Sequence, residues 1–143
     1  MENEIQDKKG MKKTILVAFA ILIGFFVISK ILSSISSDPA QQSYEKHCAS
    51  CHGVNGEGLK DLIPPLANAD WLLENQDKFA CIIKNGISGN LVVNGKTYNQ
   101  AMDGKNLNDV QIYNIINYIN QSWGNDIAVI TTEDVQKQLL NCK

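Results

Sequence analysis

The 143-residue chain contains no arginine; all 13 of its basic residues are lysines. It therefore lacks the planar guanidinium forks that grip phosphate and carboxylate in bidentate fashion. Fifteen acids oppose those lysines, and a net charge of −2 gives no basic field for nucleic acid. Proline is scarce at 3 and glycine stands at 10, which excludes collagen-like and low-complexity classes. Four cysteines are too few for a small disulfide scaffold at this length. There is no internal repeat, no phosphate-cradling glycine loop, no Ser/His/Asp set and no paired carboxylates, so nothing points to an enzyme. What remains is enough chain for one globular domain with an appendage.

Charge is unevenly placed. Residues 1–37 carry five lysines against three acids, whereas residues 38–143 carry eight lysines against twelve acids. Between the basic start and the acidic remainder, Ile15 to Ile28 has neither a charge nor a polar side chain. A helix over residues 14–32 would reach about 28 Å, close to a hydrocarbon core of about 30 Å. Lys8, Lys9, Lys12 and Lys13 precede it, so the expected orientation keeps the N-terminus inside and the rest on the periplasmic side. A cleaved signal peptide is the rival reading, although no Ala-x-Ala site follows. Both readings place the remainder outside the cytoplasm.

The expected organisation is a cytoplasmic basic tail (1–13), a membrane anchor (14–32), a linker (33–42), a helical domain (43–124) and a C-terminal extension helix (125–143). Asp38-Pro39 can cap and open a helix, which reads as Ala40–Cys51. Residues 53–70 read as loop. Asn75–Asn85 reads as a second helix closed by Gly86. Asn94-Gly95 suits the turn of a small hairpin over residues 91–98. Asn108–Trp123 is the clearest helix, with Val110, Ile112, Ile115, Ile116 and Ile119 near i, i+3, i+4 spacing and its asparagines forming a polar side. Thr132-Glu133-Asp134 opens a last helix ending near Leu140. The fold class is all-α with long loops and a small β-hairpin, preceded by one transmembrane helix. So little chain with so much loop buries a modest core, and something else is expected to fill the middle.

The chemistry lies in Cys48-Ala49-Ser50-Cys51-His52. Two thiols three positions apart can bond to the two vinyl groups of a haem, and the following histidine then reaches the iron. Three other readings compete. A thioredoxin-like pair sits at a helix N-terminus after a strand, whereas this pair follows a helical stretch. A zinc site would add Cys81 or Cys142, but the adjacent Cys51 and His52 point awkwardly at one small ion. A plain Cys48–Cys51 disulfide is the third. For the sixth iron position, Met102 is the only methionine beyond residue 13, and it lies in a polar, glycine-flanked loop. The other histidine, His47, adjoins Cys48 on the same helix end. Thioether ligation raises the reduction potential and closes the iron.

From about Ser43 to Trp123 the chain resembles a class I cytochrome c of the small bacterial monohaem kind. The likeness rests on Cys48–His52, Gly56-Glu57-Gly58, Pro64-Pro65-Leu66, Trp71, Ile83–Gly86, the Tyr98 to Met102 loop and the helix to Trp123. It implies a helical fold around one covalent haem c with its iron, His52 and Met102 as ligands, and a carbonyl near Pro64-Pro65 accepting from the His52 ring. It also implies that Pro65, Trp71, Ile83, Tyr98 and Tyr118 line the pocket. Asp103 stands where the family often has proline after the ligand methionine. Haem attachment would leave Cys81 and Cys142, which outside the cytoplasm are expected to pair in a disulfide that pins the last helix to the second, the alternative being two buried free thiols.

The expected function is one-electron transport in a respiratory chain by a membrane-tethered carrier, acting as a shuttle or as a subunit of a membrane complex. Its partners would be redox proteins, with no nucleic acid. The alternative is a haem enzyme or sensor with an open sixth iron site.

Overall fold

A computed structural model describes residues 15–30 and 38–142. It divides into two compact units, Met1–Ser37 and Asp38–Lys143.

In the first unit residues 15–30 are helical (α1), with apolar side chains such as Phe19, Phe25 and Phe26 exposed. Among the described residues no helix is long and apolar enough to cross a membrane. Residues 14, 31 and 32 of the expected span, like the basic tail before it, lie outside the described residues.

The second unit begins with α2 (Pro39–His47), where Asp38 accepts from the Ala40 amide at 2.9 Å and Pro39 takes the first turn. The unit starts at Asp38, and residues 39–42, at the end of the expected 33–42 linker, belong to the helix read over Ala40–Cys51. That helix is not continuous to Cys51. Cys48 leaves helical geometry (φ −124°), and a short α3 (Ala49–His52) follows.

The expected 53–70 loop is loop up to a five-residue α4 (Asp70–Glu74), too short to have left a periodic signal. A 3-10 turn (Gln76–Lys78) then leads into α5 (Phe79–Asn85), so the second helix begins later than expected. Among the described residues four short strands pair two by two, all antiparallel. β2 (Leu91–Val93) and β3 (Lys96–Tyr98) form the expected hairpin, with Asn94 and Gly95 both at positive φ as its tight turn requires. β1 (Gly86–Ile87) and β4 (Met102–Asp103) pair across that hairpin, Gly86 opposite Asp103 and Ile87 opposite Met102.

α6 (Asp109–Gln121) and α7 (Thr132–Leu140) each open with a reciprocal capping box, Asn108 with Gln111 and Thr131 with Asp134. α2 packs on α6, and α7 packs on both α5 and α6. The core follows from the isoleucine stripe of α6: Ile112, Ile115, Ile116 and Ile119 are buried against Tyr44 of α2 and Val135 of α7. Each such side chain contributes about 1.5–3 kcal/mol of burial.

The asparagine face of α6 is not simply its wet side. Asn117 binds Ile130 twice, donating to its carbonyl (3.1 Å) and accepting from its amide (2.8 Å), and buried Asn120 donates to the Ala128 carbonyl at 3.1 Å. These amides dock the segment that carries α7. Cys81 of α5 and Cys142, just beyond α7, form a disulfide that joins the two helices covalently.

Candidate functional site

The break at Cys48 shapes the site. The Cys51 and His52 amides both turn back to the Cys48 carbonyl (3.1 and 2.9 Å), and Gly53, at φ +80°, ends the turn. Cys48 is buried and Cys51 exposed, and both thiols are free. The chain then folds under His52. The Gly58 amide donates to the His52 carbonyl at 2.8 Å. A Cβ on Gly58 would lie 2.4 Å from the Ile63 carbonyl oxygen and 2.8 Å from Pro64, so only glycine permits this approach. It brings the Pro64 carbonyl to 3.2 Å from His52 Nδ1. The ring must donate there, which puts the proton on Nδ1 and leaves the Nε2 lone pair free to ligate.

A cavity of about 420 Å³ opens beside this turn. That size suits an organic ligand (pockets of about 300–1,000 Å³) rather than a bare ion. Its wall includes Cys48, Cys51, His52, Pro65, Trp71, Ile83, Tyr98 and Met102, all of them expected at the site. They arrive from different elements: the 48–52 turn, the proline loop, α4, α5, β3 and β4. Tyr118, also expected there, is not in the wall. It stacks instead with Tyr44 and Trp123, ring centroids 5.2 and 5.4 Å away. Among the wall residues that sequence reasoning did not assign to the site are Leu72, Phe79, Val93, Ile115 and Ile119. The isoleucine periodicity marked Ile115 and Ile119 as buried but gave no sign that a cavity lies against them.

The electrostatics suit a neutral ligand set. Burial lowers the His52 pKa, the hydrogen bond to the Pro64 carbonyl opposes that, and Lys105 lowers it further. The ring is therefore neutral at neutral pH. Burial pushes the Cys48 thiol up to about 11, against the pull of Lys105, and Cys51 adds to the rise. His47 is also lowered, by burial first and then by Lys46 and Lys105. Its Nε2 is buried without a hydrogen-bond partner among the described residues. No cluster of three or more His, Cys, Asp or Glu able to hold a bare metal ion occurs among the described residues. Two free thiols three positions apart, one oriented imidazole and a thioether, all lining one apolar cavity, fit a haem c.

Comparison with known proteins agrees. The family model for cytochrome c matches residues 37–123. The chain belongs to the cytochrome c family. A cytochrome c-552 of Thermus thermophilus is 31% identical over 137 residues, covering 89% of this chain and 86% of that protein. A second Thermus thermophilus cytochrome c-552 is 32% identical over 100 residues, covering 63% of this chain and 76% of that protein. The cytochrome c subunit of a quinone alcohol dehydrogenase from Gluconacetobacter polyoxogenes is 36% identical over 107 residues, covering 71% of this chain but only 22% of the subunit. This class I monohaem cytochrome c binds a covalent haem c with its iron. The family match ends at Trp123, so the Asn-docked segment, α7 and Cys142 lie beyond it.

Proposed function

We propose that this cytochrome is a one-electron carrier whose haem c is held by Cys48 and Cys51 through thioethers and ligated by His52 and Met102. When bound, the haem supplies an iron that cycles between ferric and ferrous states. The polypeptide orients the ligands and keeps water away. The Pro64 carbonyl fixes the His52 tautomer. The β1–β4 pairing places Met102 in the cavity wall, and Trp71, Ile83 and Tyr98 line the rest of the pocket with Pro65. The observation that carries this reading is His52 bonded through Nδ1 to Pro64 in the same cavity that Met102 lines.

Residues 14–32 tether the domain to the cytoplasmic membrane with the haem domain outside, in the orientation set by the lysines before the span. Tethering raises the effective concentration of the carrier near membrane-bound donors and acceptors. The partners are redox proteins of a respiratory chain. Likeness to the cytochrome c subunit of a quinone alcohol dehydrogenase favours a place as a complex subunit beside that of a shuttle.

The visible spectrum in both redox states tests the assignment. It is expected to show low-spin iron and a Met–iron charge-transfer band in the oxidised protein. Met102→Ala should lose that band while keeping covalent haem. Retention of the band in this variant, or rapid binding of carbon monoxide by the reduced wild type at neutral pH, would favour the open-site reading.

A further inference from the structure

α5 is only seven residues long and receives no cap from its own flanking side chains. Its N-terminal cap comes from a distant helix. Gln138 of α7 accepts from the Ala80 amide through Oε1 (2.9 Å) and donates to the Gln76 carbonyl through Nε2 (3.0 Å). One side-chain amide thus spans the junction between the 3-10 turn and α5, satisfying a first-turn N–H that the helix itself leaves unpaired. The Cys81–Cys142 bridge fastens the same turn.

The far end of α5 holds the Met102 segment. The Ile83 carbonyl accepts from the Lys105 amide (2.8 Å), and Lys84 Nζ donates to the Leu107 carbonyl (2.8 Å). β1 continues directly from α5 and pairs with β4. The approach is close: a Cβ on Gly86 would stand 2.3 Å from the Met102 carbonyl oxygen, and one on Gly104 would stand 2.5 Å from that of Lys84. Seven residues make a rod of about 10 Å, too short to absorb movement between its ends.

We infer that Gln138, with the Cys81–Cys142 bridge, positions Met102: α7 clamps the start of α5, and α5 carries β1, against which the Met102 strand is registered. Neither Gln138 nor Cys142 touches the cavity, so both are positioning residues. The inference rests on Met102 being the sixth ligand.

The test compares oxidised holoprotein of wild type, Gln138→Ala, Gln138→Glu and the Cys81→Ser/Cys142→Ser double variant. Denaturant titration follows the Met–iron band and, separately, the helical circular dichroism. Loss of one part-buried hydrogen-bonded clamp is expected to raise the Met-detached population about five- to tenfold in Gln138→Ala. The band should therefore vanish at lower denaturant while the helical midpoint moves less. Gln138→Glu keeps the acceptor for Ala80 and should recover part of the gap. Hydrogen exchange at the Lys105 amide should quicken in the same order. Band and helix midpoints moving in step in every variant, with Lys105 exchange following the helix, would overturn the inference. A wild type without the band would sink the ligand assignment instead, while Lys105 exchange would still report whether α7 holds the strand.

Discussion

Asp70 and Asn94 hold each other by their side chains and backbone amides: Asp70 Oδ1 accepts from the Asn94 amide at 2.7 Å, and Asn94 Oδ1 accepts from the Asp70 amide at 3.0 Å. The same carboxylate oxygen accepts from the Trp71 amide at 2.7 Å. The hairpin turn, at positive φ, is thereby tied to the helix that presents Trp71. Two walls of the haem cavity are locked together through one reciprocal pair.

Asp70→Ala should loosen that lock. The bonds are exposed, so the expected loss is about 1–2 kcal/mol in thermal or denaturant melting. Asn94→Ala removes only one side of the exchange but also puts alanine at φ +51°, and should cost at least as much. A melting temperature unchanged in both variants would show that the two walls are held elsewhere.

Gly58→Ala is expected to do more damage with a smaller change. The added methyl meets backbone atoms of Ile63 and Pro64, and φ is +69°. Strain of about 1–3 kcal/mol follows from the backbone alone. Relief requires moving Pro64, and with it the carbonyl that orients His52. The His52 Nδ1–H resonance of the reduced protein should shift or broaden, and the reduction potential should change. A potential and resonance identical to wild type would count against the Pro64 contact as the orienting bond.

Asn117→Ala removes both bonds to Ile130 and leaves part-buried backbone groups unpaired. The expected loss is about 1–3 kcal/mol. Hydrogen exchange of the 127–140 amides should accelerate well before that of the α2 and α6 amides. Uniform acceleration throughout the domain would mean that the extension does not open as a separate unit.

Acid should act on α7 in a definite direction. Asp134 accepts from the Thr131 amide and hydroxyl, and these bonds hold its carboxyl below its ordinary range; Glu133 is lowered as well. A carboxyl lowered by folding stabilises the folded form above the unfolded value. That contribution disappears as pH falls through the folded value. Helical content of α7 should therefore weaken below the ordinary aspartate range. Asp134→Ala should lower stability at neutral pH and flatten this acid limb; parallel acid curves for variant and wild type would contradict it.

Much of this was legible in the chain where a local rule applies. Cys48–His52 named the cofactor because spacing and residue type decide it. Asn94-Gly95 marked the hairpin, and Asp38-Pro39 and Asn108 marked helix starts, because caps and turns are read from adjacent residues. What escaped depends on partners far apart in sequence. β1 and β4 are two residues each and carry no alternation. Gln138 caps a helix 58 residues away. Asn117 and Asn120 looked like a wet face because an amide that binds backbone has the same identity as one that binds water. Tyr118, which the family resemblance implied for the pocket, meets Tyr44 and Trp123 instead, because a likeness by position does not say which neighbour a side chain on α6 faces.

The cavity has a cost that the helices alone do not meet. Trp71, Leu72, Phe79, Ile83 and Ile115 turn apolar surface into it that the helices alone leave without a packing partner. The uncoloured polypeptide is thus expected to be a loose chain, and attaching the pigment doubles as its last folding step. A failure of the cell to attach haem would be registered first as proteolysis of this chain and only then as a missing electron carrier.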